Sequence, residues 1–147
     1  MLKNTSVNGL KLVAGDLNSR LNIRLPGEEE VLEEFVYAAP LAPMVLGSNR
    51  ELLFEMCFTH DMFVANSGCE RPDAERVTYR RPGVTPMADI SPNLFSELDL
   101  FLIGQSQAQC VLNVKSIRSE VLASHHFTVD NGWTSLLRLD PGMIYVT

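Results

Sequence analysis

The clearest pattern in this chain is the alternation of apolar and polar positions beyond residue 109. Four segments show it, each rich in β-branched or aromatic side chains: 110–117, 124–129, 133–139 and 143–147. Asn131-Gly132 and Pro141-Gly142 separate the last three segments, and such pairs between apolar runs favour tight turns. The pattern predicts four short strands, joined in part as hairpins. If the last strand lies at a sheet edge, either a neighbouring subunit or an internal strand covers its backbone groups.

The first part of the chain is less regular. Residues 1–18 are polar with scattered Leu and Val, which predicts an N-terminal arm or a loosely attached strand. Further short strands are predicted at 21–25, where Leu and Ile alternate with polar residues, and at 35–38. The acidic run between them, 28–34, is typical of a solvated edge.

One segment in the middle of the chain carries a helix start signal. Ser48 followed by Glu51 matches a capping box, which predicts a helix over 49–65. Its buried face would carry Leu52, Met56 and Phe63, with Leu53 and Phe54 at the margins. The segment is so apolar that a strand is the alternative.

A second helix start is predicted at Ser91-Pro92, because Pro is favoured at the first helical position. Leu94, Leu98 and the pair at 101–102 would line its buried face. Leucines at 98, 100 and 102 also alternate, so the alternative is a strand that runs toward Ile103 and breaks at Gly104.

Between the two helix signals lies a long Pro/Arg-rich stretch, 66–90, predicted to be an irregular loop of the kind that often serves docking. The length of 147 residues indicates one domain. The predicted fold is mainly β, or α+β in the looser sense: an antiparallel sandwich or small barrel with one or two short helices.

Composition narrows the class of partner. The net charge of −6 argues against nucleic acid as the main partner, because binding to phosphates requires concentrated positive charge. Nine of the twelve basic residues are Arg, which suits interfacial ion pairs better than Lys does. Neither a signal peptide nor a membrane-spanning apolar run is evident, so we expect a cytoplasmic protein, with incorporation into a virion as an option.

The candidate chemical groups are few. Cys57, Cys69 and Cys110 are irregularly spaced, which predicts free thiols, two of them buried. Cys57 and His60 would share a helix face and could bind a metal or act as nucleophile and base, but no second ligand pair with such spacing exists. The alternative is a core cysteine beside a partly exposed histidine.

A second histidine cluster, Ser124-His125-His126 with Asp130, does not form a catalytic triad by its spacing. Neighbouring residues of a strand point to opposite faces, so the two histidines cannot bind one ion together. Glycine-rich phosphate-binding motifs are absent from the sequence. We therefore predict no catalytic residue, no metal ligand and no cofactor.

The remaining candidate is an interaction site formed by opposite charges. A basic stretch on one copy could meet the acidic run of another copy in a head-to-tail contact. The basic side chains, with one tyrosine among them, are Arg71, Arg76, Tyr79, Arg80 and Arg81; the acidic ones are Glu28, Glu29 and Glu30.

These features favour a non-enzymatic structural or assembly subunit. It would bind protein partners as a homo-oligomer or in a larger assembly such as a virus or bacteriophage particle, as a decoration, head–tail connecting or tail component. One alternative is a cytoplasmic adaptor or secretion-type chaperone that binds a client along a β edge. The other is a small enzyme or metal-binding protein that uses Cys57, His60 or His126.

Overall fold

The structure is a computed structural model that describes residues 9–37, 47–85, 88–118, 133–139 and 142–146. Its strands are β1 (Leu12–Asp16), β2 (Met62–Val64), β3 (Tyr79–Arg80), β4 (Phe95–Ser96), β5 (Asp99–Gly104), β6 (Val111–Arg118), β7 (Trp133–Leu139) and β8 (Gly142–Val146). One α-helix, α1 (Ser48–His60), and 3-10 helices at Ala65–Gly68, Asp73–Glu75 and Gln105–Cys110 complete the described elements.

The strands form three antiparallel sheets, ordered β1-β5-β2, β3-β4 and β6-β7-β8. The prediction of a mainly β, loosely α+β fold is confirmed at this level. The described strands do not close into a barrel, since each sheet keeps two outer strands.

Strand β5 is the centre of the molecule because both of its faces are buried. Leu100 and Leu102 belong to an apolar cluster with α1 residues Leu53, Phe54 and Cys57. Phe101 and Ile103 point the other way and pack with Phe63 and Val114, the latter on β6. The unbroken apolar run of β5 is therefore the pattern of a strand covered on both sides, and its alternation sorts the side chains between two cores.

The predicted helix over 49–65 is present but shorter. It ends at His60 because Asp61 adopts the left-handed conformation, with φ 51° and ψ 51°, and donates its backbone N–H to the Cys57 carbonyl. The following residues pair with β5 as β2. The capping box is wrong: the cap position is Gly47, and it makes no side-chain cap bond.

The predicted buried face of α1 is also wrong in register. Leu52 is 62% exposed, whereas Leu53, Phe54 and Cys57 are buried. The apolar side chains of α1 surround the helix so evenly that sequence alone does not fix the face against β5.

The second predicted helix does not form. Ser91 instead opens a turn, in which its carbonyl accepts from the backbone N–H groups of Leu94 and Phe95. The alternative is confirmed: a strand, β5, reaches Gly104 and a 3-10 helix follows.

The strands predicted at 21–25 and 35–38 are absent from the described residues, which are irregular there up to residue 37. Asn22 has φ 51°, a left-handed conformation that interrupts an extended strand. The acidic run between them is solvated only in part: Glu29, Glu30, Glu33 and Glu34 are exposed, whereas Glu28, Val31 and Leu32 are buried.

The C-terminal prediction is largely confirmed. Strands β6, β7 and β8 form an antiparallel meander with the registers Lys115↔Leu136 and Leu137↔Ile144, and two residues connect β7 to β8. The predicted strand at 124–129 lies outside the described residues. So do residues 1–8 of the predicted arm, whereas 12–16 form β1.

Candidate functional site

A buried carboxyl group lies at the junction of β4 and β5. Glu97 follows β4 directly and is only 8% exposed. Its Oε1 accepts a hydrogen bond from Asn66 Nδ2 at 3.0 Å, and it receives a second bond from the backbone of Tyr37. A buried carboxyl with so few donors is an unusual arrangement, because the charged form is poorly solvated.

Asn66 links this carboxyl to the central sheet. It lies in the 3-10 helix Ala65–Gly68, immediately after β2. Its Nδ2 also donates to the Asp99 carbonyl at 3.2 Å, while its Oδ1 accepts the backbone N–H of Phe101 at 2.8 Å. All three bonds join residues more than thirty positions apart, so Asn66 crosslinks the fold.

Arg76 is the cation whose charge acts on Glu97, but its guanidinium donates its hydrogen bonds to backbone carbonyls. Its Nη1 donates to the Phe35 carbonyl at 2.8 Å and to the Asn66 carbonyl at 3.5 Å. Its Nη2 bonds the Cys69 carbonyl at 2.7 Å, and Nε bonds the Arg71 carbonyl at 3.1 Å. Among the described residues no ion pair joins Arg76 to Glu97, because the ion pairs there are Arg24–Glu33 and Arg50–Glu28.

This environment raises the pKa of Glu97 to about 7. Burial is the main cause, and the negative charge of Asp73 adds to it, whereas the Asn66 bond, the Arg76 charge and the Tyr37 backbone bond act in the opposite direction. The same cluster raises the pKa of Tyr37 to about 12, first through burial and then through Asp73 and Glu97. Burial also raises the pKa of Asp99.

A second polar centre lies between α1 and the segment at residues 21–28. The guanidinium of Arg50 forms two bonds of 2.6 Å to the two carboxylate oxygens of Glu28. It also donates to the carbonyls of Leu21 and Ile23 and lies 4.2 Å from the centre of the Phe54 ring. This buried, bidentate pair explains why 21–25 is not a strand: its carbonyls bind a side chain instead of a neighbouring strand.

The predicted basic interaction site is only partly available at the surface. Arg76 is buried, and Arg71 donates to Asn113 Oδ1 on β6. Arg81 is exposed, and Tyr79 is 38% exposed. Arg80 is half-buried within β3.

The acidic half of the predicted contact is reduced in the same way. Glu28 is buried against Arg50 and cannot meet another copy of the chain. Glu29 and Glu30 are exposed. The head-to-tail hypothesis therefore loses three of its charged groups, because Glu28, Arg71 and Arg76 already bind within the chain.

The candidate Cys57–His60 pair is divided between core and surface. Cys57 is fully buried, which raises the pKa of its thiol to about 12, whereas His60 is exposed. All three cysteines are free thiols, but Cys69 and Cys110 are only half-buried, so the prediction of two buried thiols is wrong. Ser124, His125, His126 and Asp130 lie outside the described residues.

Two further findings concern the whole described part of the chain. It contains no group of three or more side chains placed to hold a metal ion. It also contains no helix with the length and apolar character needed to cross a bilayer.

Sequence reasoning missed Glu97 and Asn66. Each is a polar residue at the end of a buried apolar run: Asn66 follows 62–65, and Glu97 precedes the apolar residues of β5. Such a position is a signal for a buried polar side chain, but it does not identify the partner. No family model, curated protein or solved structure matches this chain, so the function must be argued from its geometry.

Proposed function

We propose that this chain is a non-enzymatic structural or assembly subunit that pairs with a protein strand along the outer edge of β8. The observation that supports this proposal is the order β6-β7-β8, in which β8 is the last strand of the sheet among the described residues. An open edge presents backbone donors and acceptors to another chain.

The two outer strands of this sheet differ in their surroundings. On β6, Val114 packs into the core with Phe101 and Ile103, and Asn113 binds Arg71. On β8, residues 142–146 pair with β7, and within the described residues no strand pairs with its other side. The β8 edge is therefore the side of the meander that faces away from its attachment to the body.

The partner we propose is a second copy of this chain or another subunit of a larger assembly, with a virus or bacteriophage particle as the setting. The finer arrangement of the fold belongs to the same proposal: the sheets of β5 and β6 act as the two layers of a sandwich around the cluster of Phe63, Phe101 and Val114. A rigid layered body would then present the β8 edge outward.

Proline substitution in β8 tests the proposal. Backbone N–H groups of successive residues in an edge strand point alternately toward β7 and toward the outside. Ile144→Pro and Tyr145→Pro are therefore matched variants, one of which removes an outward donor. We expect that variant to keep its circular dichroism spectrum but to lose association in size-exclusion chromatography with light scattering.

Leu112→Lys serves as the control, because Leu112 is exposed on β6 and its change leaves the β8 edge intact. A wild-type chain that is monomeric at high micromolar concentration and recovers no partner from its native host would contradict the proposal. A monomer that instead recovers an extended client peptide would favour the adaptor or chaperone alternative.

A further inference from the structure

Glu97 lies where two parts of the chain meet. One part is a unit held together by Arg76, whose guanidinium binds the carbonyls of Phe35, Asn66, Cys69 and Arg71. The other part is the continuous segment from β4 into β5, residues 95–104. Glu97 belongs to the second part, and both of its hydrogen-bond donors, Asn66 and the Tyr37 backbone, belong to the first.

The remaining contacts across this junction are polar bonds, the pairing of β3 with β4 and a small apolar cluster. Thr78 Oγ1 accepts the backbone N–H groups of Leu98 and Asp99 at 2.9 and 3.0 Å, and Thr78 donates its own N–H to the Ser96 carbonyl. Tyr37 and Val77 pack on Phe95 as a small apolar cluster. This contact is smaller than the two cores on either side of β5.

The charged groups around Glu97 come from each element packed on it. Asp73, at the start of the 3-10 helix Asp73–Glu75, opposes ionisation of Glu97, while Arg76 favours it. The Tyr37 hydroxyl belongs to the same electrostatic cluster. Asp99, two residues along the chain, is paired with Asp16 of β1 in the sheet register and is itself half-buried.

Ionisation of Glu97 therefore has a cost that Asn66, Arg76 and the Tyr37 backbone offset only in part, and that exposure to water would relieve. The carboxylate would lie in the interior, near Asp73 and without a direct guanidinium partner. Water would solvate it if the Arg76 unit moved away from residues 95–99. Because burial raises the pKa of Glu97 to about 7, the balance between a buried neutral carboxyl and an exposed carboxylate changes near neutral pH.

We propose that Glu97 is the proton-sensing group of a conformational device, in which its neutral form keeps the Arg76 unit docked on residues 95–99 and its ionised form favours separation of the two. The separated state exposes the carboxylate to water and breaks the bonds made by Asn66 and Thr78 together with the pairing of β3 with β4. The cores of α1 and β6 on β5 remain packed.

Amide hydrogen exchange measured by NMR on the full chain between pH 5 and pH 9 tests this device. The reporting amides are those that bond across the junction, Thr78, Leu98, Asp99 and Phe101. After correction for intrinsic exchange rates, we expect their opening to increase by up to about 75-fold between pH 5 and pH 9. That limit follows from a pKa that rises from 4.5 to about 7, because the first part of the rise in opening occurs below pH 5.

The reference amides lie elsewhere in the fold. Val64, which donates to the Val31 carbonyl, and the interior amides of α1 should show no comparable increase. An equal increase at these sites would mean global destabilisation and would overturn the proposal. An increase below about 3-fold at the junction amides would also overturn it.

Two variants assign the effect to Glu97. Glu97→Gln should remove the pH-dependent opening, whereas the exposed control Glu33→Gln should retain it. Asp73→Asn changes an exposed residue and should move the transition to lower pH, because it removes a negative charge that disfavours ionisation of Glu97. If Glu97→Gln keeps the increase, or if Asp73→Asn moves the transition to higher pH or leaves it in place, Glu97 is not the sensor.

Discussion

Within the part of the chain that the structure describes, Arg50 and Arg76 are both buried, and their guanidinium groups find hydrogen-bond acceptors in different ways. Arg50 directs its guanidinium fork at a carboxylate, Glu28, and uses its other donors on two carbonyls. Arg76 directs its donors at four carbonyls, although a buried carboxyl, Glu97, lies nearby.

The difference shows that the protonation behaviour of a buried carboxyl depends on whether the neighbouring guanidinium donates to it or to backbone carbonyls. A carboxylate held by two charge-assisted bonds has its charge matched at contact distance. A carboxyl that receives only an amide bond and a backbone bond has no such partner, and its protonation state becomes sensitive to pH. The Arg50–Glu28 pair thus holds two segments of the chain together, whereas the Arg76 centre contains Glu97, whose protonation changes near neutral pH.

Removal of Arg76 should have the largest effect on stability. Arg76→Met leaves buried carbonyls without donors, and each unsatisfied group costs about 1–3 kcal/mol. We expect a loss of about 5 kcal/mol in the free energy of unfolding, measured by urea denaturation. Arg81→Met, in the same stretch but exposed, should change it by less than about 0.5 kcal/mol. Comparable losses in both variants would contradict the structural role of Arg76.

Removal of Arg50 should cost somewhat less, and a second substitution should restore much of the loss. Arg50→Met leaves the buried Glu28 carboxylate without its positively charged partner and should lower the free energy of unfolding by about 4 kcal/mol. Adding Glu28→Leu removes that charge, so the double variant should recover at least half of the stability in the same denaturation experiment.

The exposed Arg24–Glu33 pair is the matched control for this cycle. Its atoms lie 3.4 Å apart, and its side chains are 31% and 50% exposed. Its coupling energy should stay below about 1 kcal/mol. If the coupling energy of Arg50–Glu28 were as small as that of the exposed pair, the structural role proposed for the buried pair would be contradicted.

The pH dependence of stability should give the smallest of the three effects. The pKa of Glu97 is higher in the folded chain, about 7, than its ordinary value of 4.5, so the folded state binds the proton more tightly. Its stabilising contribution is complete below pH 4.5 and is lost as the pH rises through 7, by about 3 kcal/mol in all.

Comparison with Glu97→Gln isolates this contribution from the other carboxyls. The wild type minus variant difference in unfolding free energy should fall by about 3 kcal/mol between pH 4.5 and pH 8.5. Glu33→Gln should show no such trend. A difference that is flat or rises over this interval would contradict the assignment.

The sequence predicts best those elements whose pattern is local. The C-terminal strands β6, β7 and β8 and the strand that ends at Gly104 were predictable because alternation and turn residues are signals that lie within each segment. The presence of α1 was predictable, but its buried face was not, because Leu52 and Leu53 are equally apolar and only the position of β5 distinguishes them.

The candidate site was not predictable for the same reason. Glu97 is bound by Asn66, which lies 31 positions away, and its own neighbours, Ser96 and Leu98, do not indicate a buried acid. Likewise, the alternation at 21–25 is a valid strand pattern that Arg50 overrides from a distance by binding the Leu21 and Ile23 carbonyls. The local amino-acid sequence indicates secondary-structure propensity, whereas these two sites depend on hydrogen bonds between residues that are distant in the sequence.

The irregularity in β6 has a consequence for how the chain tolerates insertion and deletion. The register between β6 and β7 shifts between Val111 and Asn113, which leaves the exposed Leu112 as an extra residue and places Asn113 against Arg71. Deleting Leu112 would restore regular pairing and leave Asn113 opposite Arg138, so Asn113 and Val114 would keep their faces and their contacts with the body. The shift of one position would instead fall on Val111 and the 3-10 helix before it. Length changes at this point should therefore be absorbed between the β5 sheet and the meander, with both sheets still paired.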